Sequence, residues 1–465
     1  MMKYQIPKDI PLSIFRTYDI RGIVDETLTN DMVYALGLAI GSKIKNENGH
    51  EVLIARDGRL SSGSFSQALC TGLLESGCDV IDLGIVPTPV LYFATFTFST
   101  NSGVMITGSH NPSNHNGLKI VVSGRTLSEN EIYQLHTCIC EKKFTKGSGE
   151  YTQIEILPNY TNKIKNDIRI KKPLQLVIDC GNGVTSVIAS KLFENLGCKI
   201  TTLYCELDGT FPNHFPDPSK PENLQDLINT VIKTKADLGL AFDGDGDRLA
   251  VITNKGEIIW PDRVLMLLAS EILKTNSGAT ILYDVKCTIY LEKIIQDHGG
   301  KPLMYKTGHS LIKSKLQEIK APLAGEMSGH FFYNDSRWFG FDDGIYTAAR
   351  LLEILSDSNK SSSEIFHALP NSFNTPELNI MISDERKFEF MKKFKKESSF
   401  PNAKLITIDG LRVEFDFGWG LIRPSNTTAC LVLRFEADTL ANLKRIQSIF
   451  REQILLIDKN LIVPF

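Results

Sequence analysis

The sequence has no apolar run approaching the ~18 residues needed to cross a membrane as a helix. Its start, Met1 to Ser13, carries charges and two prolines without an apolar stretch, so a secretory leader is not expected. Nine cysteines include no Cys-x-x-Cys pair, and the one close pair, Cys138 and Cys140, falls on a polar helical segment. That pattern argues against a structural zinc site and a disulfide framework, and it favours reduced thiols in a cytoplasm. A basic excess is also missing: 51 Lys and Arg face 54 Asp and Glu, a formal charge of −3. Nucleic acid is not an expected partner, nor is a membrane, and any attraction for anions must come from a local cluster.

Among 465 residues, 42% are apolar and 23% charged, ordinary globular usage for a chain of two to four domains. Strand-like and helical patterns alternate from the start, with a helical period over Met32 to Ile44, a strand at Val52 to Ala55 and a helix over Phe65 to Glu75. The rhythm restarts at Leu174 to Asp179, with a helix over Val184 to Leu196 and a strand at Leu238 to Phe242, and again near Val264. This is α/β patterning in three units. A Ser-, Asn- and Pro-rich shift between Ser356 and Pro376 precedes a smaller α+β tail with an Asp409-Gly410 hairpin turn. The expected domains are 1–155, 156–256, 257–369 and 370–465.

The sharpest local signal is Asp243-Gly-Asp245-Gly-Asp247-Arg248 after an apolar strand. Carboxylates at i, i+2 and i+4 fall to one side of an extended chain, and the glycines let that chain curl until the oxygens converge. All-oxygen ligands suit Mg²⁺ or Ca²⁺; an EF-hand fails because Arg248 and Asn254 stand at its glycine and glutamate positions. In Thr107-Gly108-Ser109-His110-Asn111-Pro112, a strand delivers a serine onto a stiffened loop, where it can act as nucleophile or phosphate carrier. His110 is not expected to serve it as a triad base, since adjacent side chains leave a strand end in different directions. Gly325-Glu326-Met-Ser328-Gly-His330 offers hydrogen-bonding groups between glycines, suited to a polyhydroxyl ligand. Arg423-Pro-Ser425-Asn426-Thr427-Thr428 follows an expected bend at Gly418-Trp-Gly420 and suits a phosphate cradle.

Together with Phe15-Arg-Thr-Tyr18-Asp-Ile-Arg21-Gly22, these motifs resemble those of the α-D-phosphohexomutases, most of all the bacterial enzymes acting on mannose and glucose phosphates. They run in the family's order from residue 15 to 428. The resemblance implies three α/β units with mixed sheets around a central cleft, plus a smaller α+β C-terminal domain. It implies a mutase interconverting hexose 1- and 6-phosphates through a phosphoserine and a hexose 1,6-bisphosphate, which also serves as activator. Ser109 would carry the phosphoryl group, and Asp243, Asp245 and Asp247 would hold Mg²⁺ with a phosphoserine oxygen. Arg248 and Lys119 would lie near the transferred group, with Arg21 and His110 in support. Glu326 and Ser328 would bind sugar hydroxyls. Tyr18, Lys286, Gly308, His309, Arg423, Ser425, Asn426 and Thr427 would hold the non-reacting phosphate. His330 and Lys119 are candidates for proton transfer. Small phosphosugars are the implied partners of a monomer, with a dimer as alternative. Pro424 stands where the resemblance implies alanine, removing a backbone donor and fixing φ.

Other readings stand beside this one. A Mg²⁺-dependent sugar phosphatase would need no remote phosphate cradle, and a non-catalytic sensor would need none of the reacting groups. A phosphoglucosamine mutase typically carries Gln at the position of Met327.

Overall fold

The computed structural model describes residues 4–425 and 428–465. Four sheets succeed one another along the chain. The first orders Ile20–Ile23, His115–Val122, Gly103–Ile106, Glu51–Arg56, Asp79–Ile85 and Tyr151–Gln153, with Arg125–Thr126 on the flank of His115–Val122. Glu51–Arg56 runs parallel to both neighbours, whereas His115–Val122 is antiparallel to Ile20–Ile23 and Gly103–Ile106. Gly103–Ile106 is wholly buried, as a strand covered on both faces must be.

The second sheet runs Ile258–Ile259, Leu249–Thr253, Leu238–Phe242, Gln175–Asp179, Lys199–Leu203, and the third Lys301–Tyr305, Thr280–Asp284, Leu323–Gly325, Phe331–Tyr333. Each mixes parallel pairs with an antiparallel edge. The fourth is antiparallel throughout, with helices Asp384–Glu397 and Leu440–Ile457 packed on it. The fold is three α/β domains followed by an α+β domain. Among the described residues no helix is long and apolar enough to cross a membrane.

Three elements differ from the sequence reading. Helix Thr88–Thr97 was not anticipated: Thr88 to Thr95 are all buried, so no one-sided stripe marks it. The single helix expected over Val184 to Leu196 is a 3₁₀ turn, Val184–Val187, then helix Ala189–Asn195, broken at Ile188 with φ −137° and ψ −38°. Its start is drawn aside because Val184 N donates to Gly244 O at 3.1 Å, in the acidic loop. Finally, Gly418-Trp-Gly420 is no bend. It opens strand Gly418–Pro424, and Trp419 lies buried beneath the Arg412 guanidinium at 3.8 Å.

Helix Gly344–Asp357 starts beside the third sheet, N-capped by Asp343, which accepts from Tyr346 N at 2.8 Å and from the Tyr160 hydroxyl at 2.9 Å. Burial outweighs these bonds and pushes the Asp343 carboxyl up to about 7. The native protein therefore keeps a proton that the unfolded chain releases near the ordinary aspartate range. Asp343 adds stability at low pH, and that contribution is lost as pH rises towards about 7. Denaturation measured across this range should show the wild type losing ground against Asp343→Asn by on the order of 2–4 kcal/mol. A pH-independent difference would mean Asp343 is ionised throughout.

Candidate active site

Strand Gly103–Ile106 delivers the serine loop into a cleft of about 950 Å³ lined by residues of all four domains. Ser109 has φ +49°, left-handed backbone that is costly for a non-glycine residue. A residue not singled out from the sequence holds it there. Arg59 donates to four loop carbonyls, those of Ser109 (2.7 Å), Asn111 (2.6 Å), Pro112 (2.6 Å) and His115 (3.0 Å), while Asp57 at 3.2 Å balances its charge. Gly108 is required by this packing, since a Cβ there would meet Arg59 Nε at 2.5 Å. The backbone at Ser109 also corrects the expectation for His110. Ser109 Oγ lies 3.1 Å from His110 Nδ1, because the left-handed turn sends successive side chains to the same side. Burial, then Arg248 and Arg21, hold His110 well below the usual imidazole range, so it is neutral.

The acidic loop follows strand Leu238–Phe242 and returns through Leu249–Thr253, with Gly246 at φ +81°. Ser109 Oγ donates to Asp243 Oδ2 at 2.9 Å, bridging the first two domains. Asp243 Oδ1 accepts from Gly246 N (3.0 Å) and Arg248 N (3.2 Å). Asp245 Oδ2 accepts from Thr88 Oγ1 (2.6 Å) and Lys119 Nζ (2.7 Å), and Lys119 also donates to Asp247. Burial, then Asp247 and Asp245, push Asp243 well up; burial would do the same to Asp245, but Lys119 outweighs it and holds that carboxyl low. Lys119 is correspondingly fixed as a cation: burial opposes its charge, yet Asp245 and Asp247 raise it well above the ordinary lysine value.

One oxygen from each of Asp243, Asp245 and Asp247 lies within 4.8 Å of the others. Asp245 Oδ1 and Asp247 Oδ1 are buried without hydrogen-bond partners among the described residues. Orphaned carboxylate oxygens in so close a cluster of aspartates fit a hard divalent cation. Asp247, His330 and Asp342 also cluster closely enough for a metal, but Lys119 on Asp247 and Lys313 on Asp342, at 2.8 Å, already supply the positive charge there.

Across the cleft, Gly308 N donates to Glu326 Oε1 at 2.5 Å and Ser328 Oγ to Oε2 at 3.1 Å. Arg248 Nε donates to His330 Nε2 at 3.0 Å, joining the acidic loop to the 326–330 segment. Arg21 reaches Asn111 at 2.5 Å and Asp19 at 2.6 Å, bracing the serine loop from the side. Tyr18 stacks edge-on to His309, and a Cβ at Gly308 (φ +139°) would strike its ring at 2.7 Å. His309 in turn stacks on His330.

Lys286 Nζ donates to Glu377 at 2.6 Å and Arg423 Nε to Asp409 at 2.9 Å, while Arg423 Nη2 is buried with no hydrogen-bond partner among the described residues. Ser425 is held by Lys387, which donates to its carbonyl at 2.6 Å. Asn426 and Thr427 lie outside the described residues. Thr88, Glu377, Asp409 and Lys313 join Arg59 as residues the motifs did not reveal.

Three α/β domains and an α+β domain converging on a serine beside a carboxylate loop define a phosphohexomutase fold. The chain belongs to the phosphoglucomutase/phosphomannomutase family: it matches that family's α/β/α domain I over residues 12–146, domain II over 158–256, domain III over 260–373 and C-terminal domain over 377–453. It is 52% identical over 456 residues to phosphomannomutase/phosphoglucomutase of Pseudomonas aeruginosa, covering 98% of each chain. A phosphoglucomutase of Neisseria meningitidis is 48% identical over 450 residues, 96% of this chain and 97% of the relative. The crystal structure of a phosphoglucomutase/phosphomannomutase family protein from Burkholderia thailandensis superposes with a TM-score of 0.93 at 48% identity, covering 98% of this chain and all of that one.

Arg59→Lys replaces the planar fork that spans four carbonyls with an ammonium of three N–H groups, which cannot reach all four. Hydrogen exchange of residues 108–115 is expected to accelerate by at least about tenfold while the C-terminal domain exchanges unchanged. Unaltered exchange in that loop would assign its shape to something other than Arg59.

Proposed function

We propose that the protein is a phosphohexomutase interconverting the 1- and 6-phosphates of mannose and glucose through a phosphorylated Ser109. One observation carries the mechanism: Ser109 Oγ sits on the carboxylate loop at 2.9 Å from Asp243, at the floor of a cleft that also exposes Arg423 of the last domain. A phosphate carrier on one side and a remote anion cradle on the other suit a substrate with a phosphate at either end.

Asp243, Asp245 and Asp247 would hold Mg²⁺, which would supply neutralising charge for the transferring group. Lys119 and Arg248 add fixed positive charge, and phosphoryl transfer asks a protein mostly for such positioning and neutralisation. The bond from phosphorus to Ser109 Oγ breaks as a bond forms to the sugar's free hydroxyl oxygen; the sugar's proton passes to His330, and the released Ser109 oxygen takes up a proton from water in the cleft, which His330 makes good by releasing its own. The product is a hexose 1,6-bisphosphate. It reorients, and its other phosphate returns to Ser109 by the same step in reverse. Glu326 and Ser328 hold sugar hydroxyls in both orientations. Tyr18, Lys286, His309, Arg423, Ser425, Asn426 and Thr427 hold whichever phosphate is not reacting. Lys119, the second candidate for proton transfer, is locked between two aspartates and serves as a cation instead.

Ser109→Ala is expected to keep the fold and lose nearly all mutase activity, since Arg59 sets the loop's shape through the backbone and the hydroxyl adds only its hydrogen bond to Asp243. A phosphosugar isomerisation assay with catalytic hexose bisphosphate checks this, and near-normal turnover would sink the phosphoserine route. Arg423→Ala is expected to weaken mannose and glucose phosphates by a similar factor, on the order of 1.5–3 kcal/mol in kcat/KM, because the non-reacting phosphate is common to both. A strong change in the mannose-to-glucose ratio would place Arg423 near the sugar ring instead.

A further inference from the structure

His330 and Asp342 stand twelve positions apart and are brought together by backbone pairing. The 326–329 turn closes with Glu326 N on His330 O at 2.9 Å, strand Phe331–Tyr333 follows, and Phe332 forms a bridge with Asp342 while Asp343 N donates to Phe331 O at 3.1 Å. Both side chains are buried. His330 Nδ1 lies 3.0 Å from Asp342 Oδ2, yet the two are not aligned as a hydrogen bond, and neither atom has another hydrogen-bond partner among the described residues. Two buried polar atoms facing each other at that distance are one small ring rotation from pairing, and leaving both unpaired is costly. Such contacts commonly tighten only when substrate is engaged.

The alternative acceptor for Nδ1 is Asp247 Oδ1, farther away at 3.5 Å and belonging to the cation site. Asp342 is better placed. Lys313 fixes its other oxygen at 2.8 Å, and Lys313 is itself seated over the Tyr92 ring at 4.0 Å, so the carboxylate cannot swing away. On the far side of the imidazole, Nε2 accepts from Arg248 Nε.

We infer that Asp342 is a positioning residue for the transfer reaction: it accepts a hydrogen bond from the Nδ1–H of His330, selects that tautomer and turns the bare Nε2 towards the substrate hydroxyl. This rests on the reading of His330 as proton acceptor. Arg248 occupies Nε2 until the hydroxyl displaces it, so the same ring is kept in register before and during transfer. Lys313 acts one step further out, holding the carboxylate that holds the ring.

Nitrogen NMR of the unaltered protein, with ¹⁵N-labelled histidine and the His330 signal assigned through His330→Asn, reads the tautomer directly above the imidazole range. The Nδ1–H form is expected; a dominant Nε2–H form would overturn the proposal whether or not any Asp342 variant folds. In the mutase assay, Asp342→Asn should lower kcat by at least about tenfold with KM within about threefold, and Asp342→Glu should recover part of it. In a His330→Asn background, Asp342→Asn should cost less than about twofold further, since the ring it orients is gone; additive losses would mark Asp342 as merely structural. If His330→Asn itself turns over normally, the reading of His330 fails and the proposal with it. If His330→Asn is inactive but Asp342→Asn is not impaired, the positioning role alone fails.

Discussion

Gathering Asp243, Asp245 and Asp247 out of water is the constraint around which the molecule is arranged. A desolvated carboxylate costs several kcal/mol, and three of them repel one another besides. Lys119 reaches over from the first domain to two of them, and Thr88 and the amides of Gly246 and Arg248 add hydrogen bonds. The first domain therefore cannot separate from the second without exposing Lys119 and stranding the aspartates. The contact is tight in backbone terms as well, for a Cβ on Gly244 would lie 2.3 Å from Ser109 O. The same burial that makes the site expensive makes it strong, because a low-dielectric floor magnifies the pull of each charge on an incoming phosphate.

The cleft's other wall is organised by the last domain. Arg412 donates to Val285 O (2.8 Å) and Cys287 O (2.7 Å), and Arg434 donates to Lys286 O and to Asp262 at 2.9 Å. Lys286 is thus clamped by backbone on both sides while its ammonium faces Glu377, which burial would raise but Lys286 lowers to about 2. Trp419 packs under Arg412 and ties the clamp to the fourth sheet. A cation contributed by the third domain is in this way aimed by the fourth, next to Arg423.

What could be read from the sequence was what is local in it. The three aspartates converge because alternate positions of a curling chain do so whatever surrounds them, and strand Leu238–Phe242 was legible to the residue. Residues whose roles depend on distant partners were not. Arg59 looks like a surface turn residue after Asp57-Gly58, and only the return of the chain fifty residues later turns it into an anchor. Thr88 meets Asp245 across 157 positions, and its helix lacks the one-sided pattern that would have announced it. Asp342, beside the capping Asp343, reads as part of a helix start until the bridge to Phe332 is seen. His110 was misjudged because side-chain direction was inferred for an extended chain, whereas Ser109 is left-handed.

The Arg59 fork grips the serine loop only by main-chain carbonyls and makes no use of the Ser109 hydroxyl. Shape and cargo are therefore independent variables. Whatever Oγ bears, the loop's scaffold pulls it into one place, and the free energy for holding that strained turn was spent at folding. A serine that, as proposed, gives up its group once and regains one once in each cycle needs such a mount, one that does not have to be rebuilt between hand-overs.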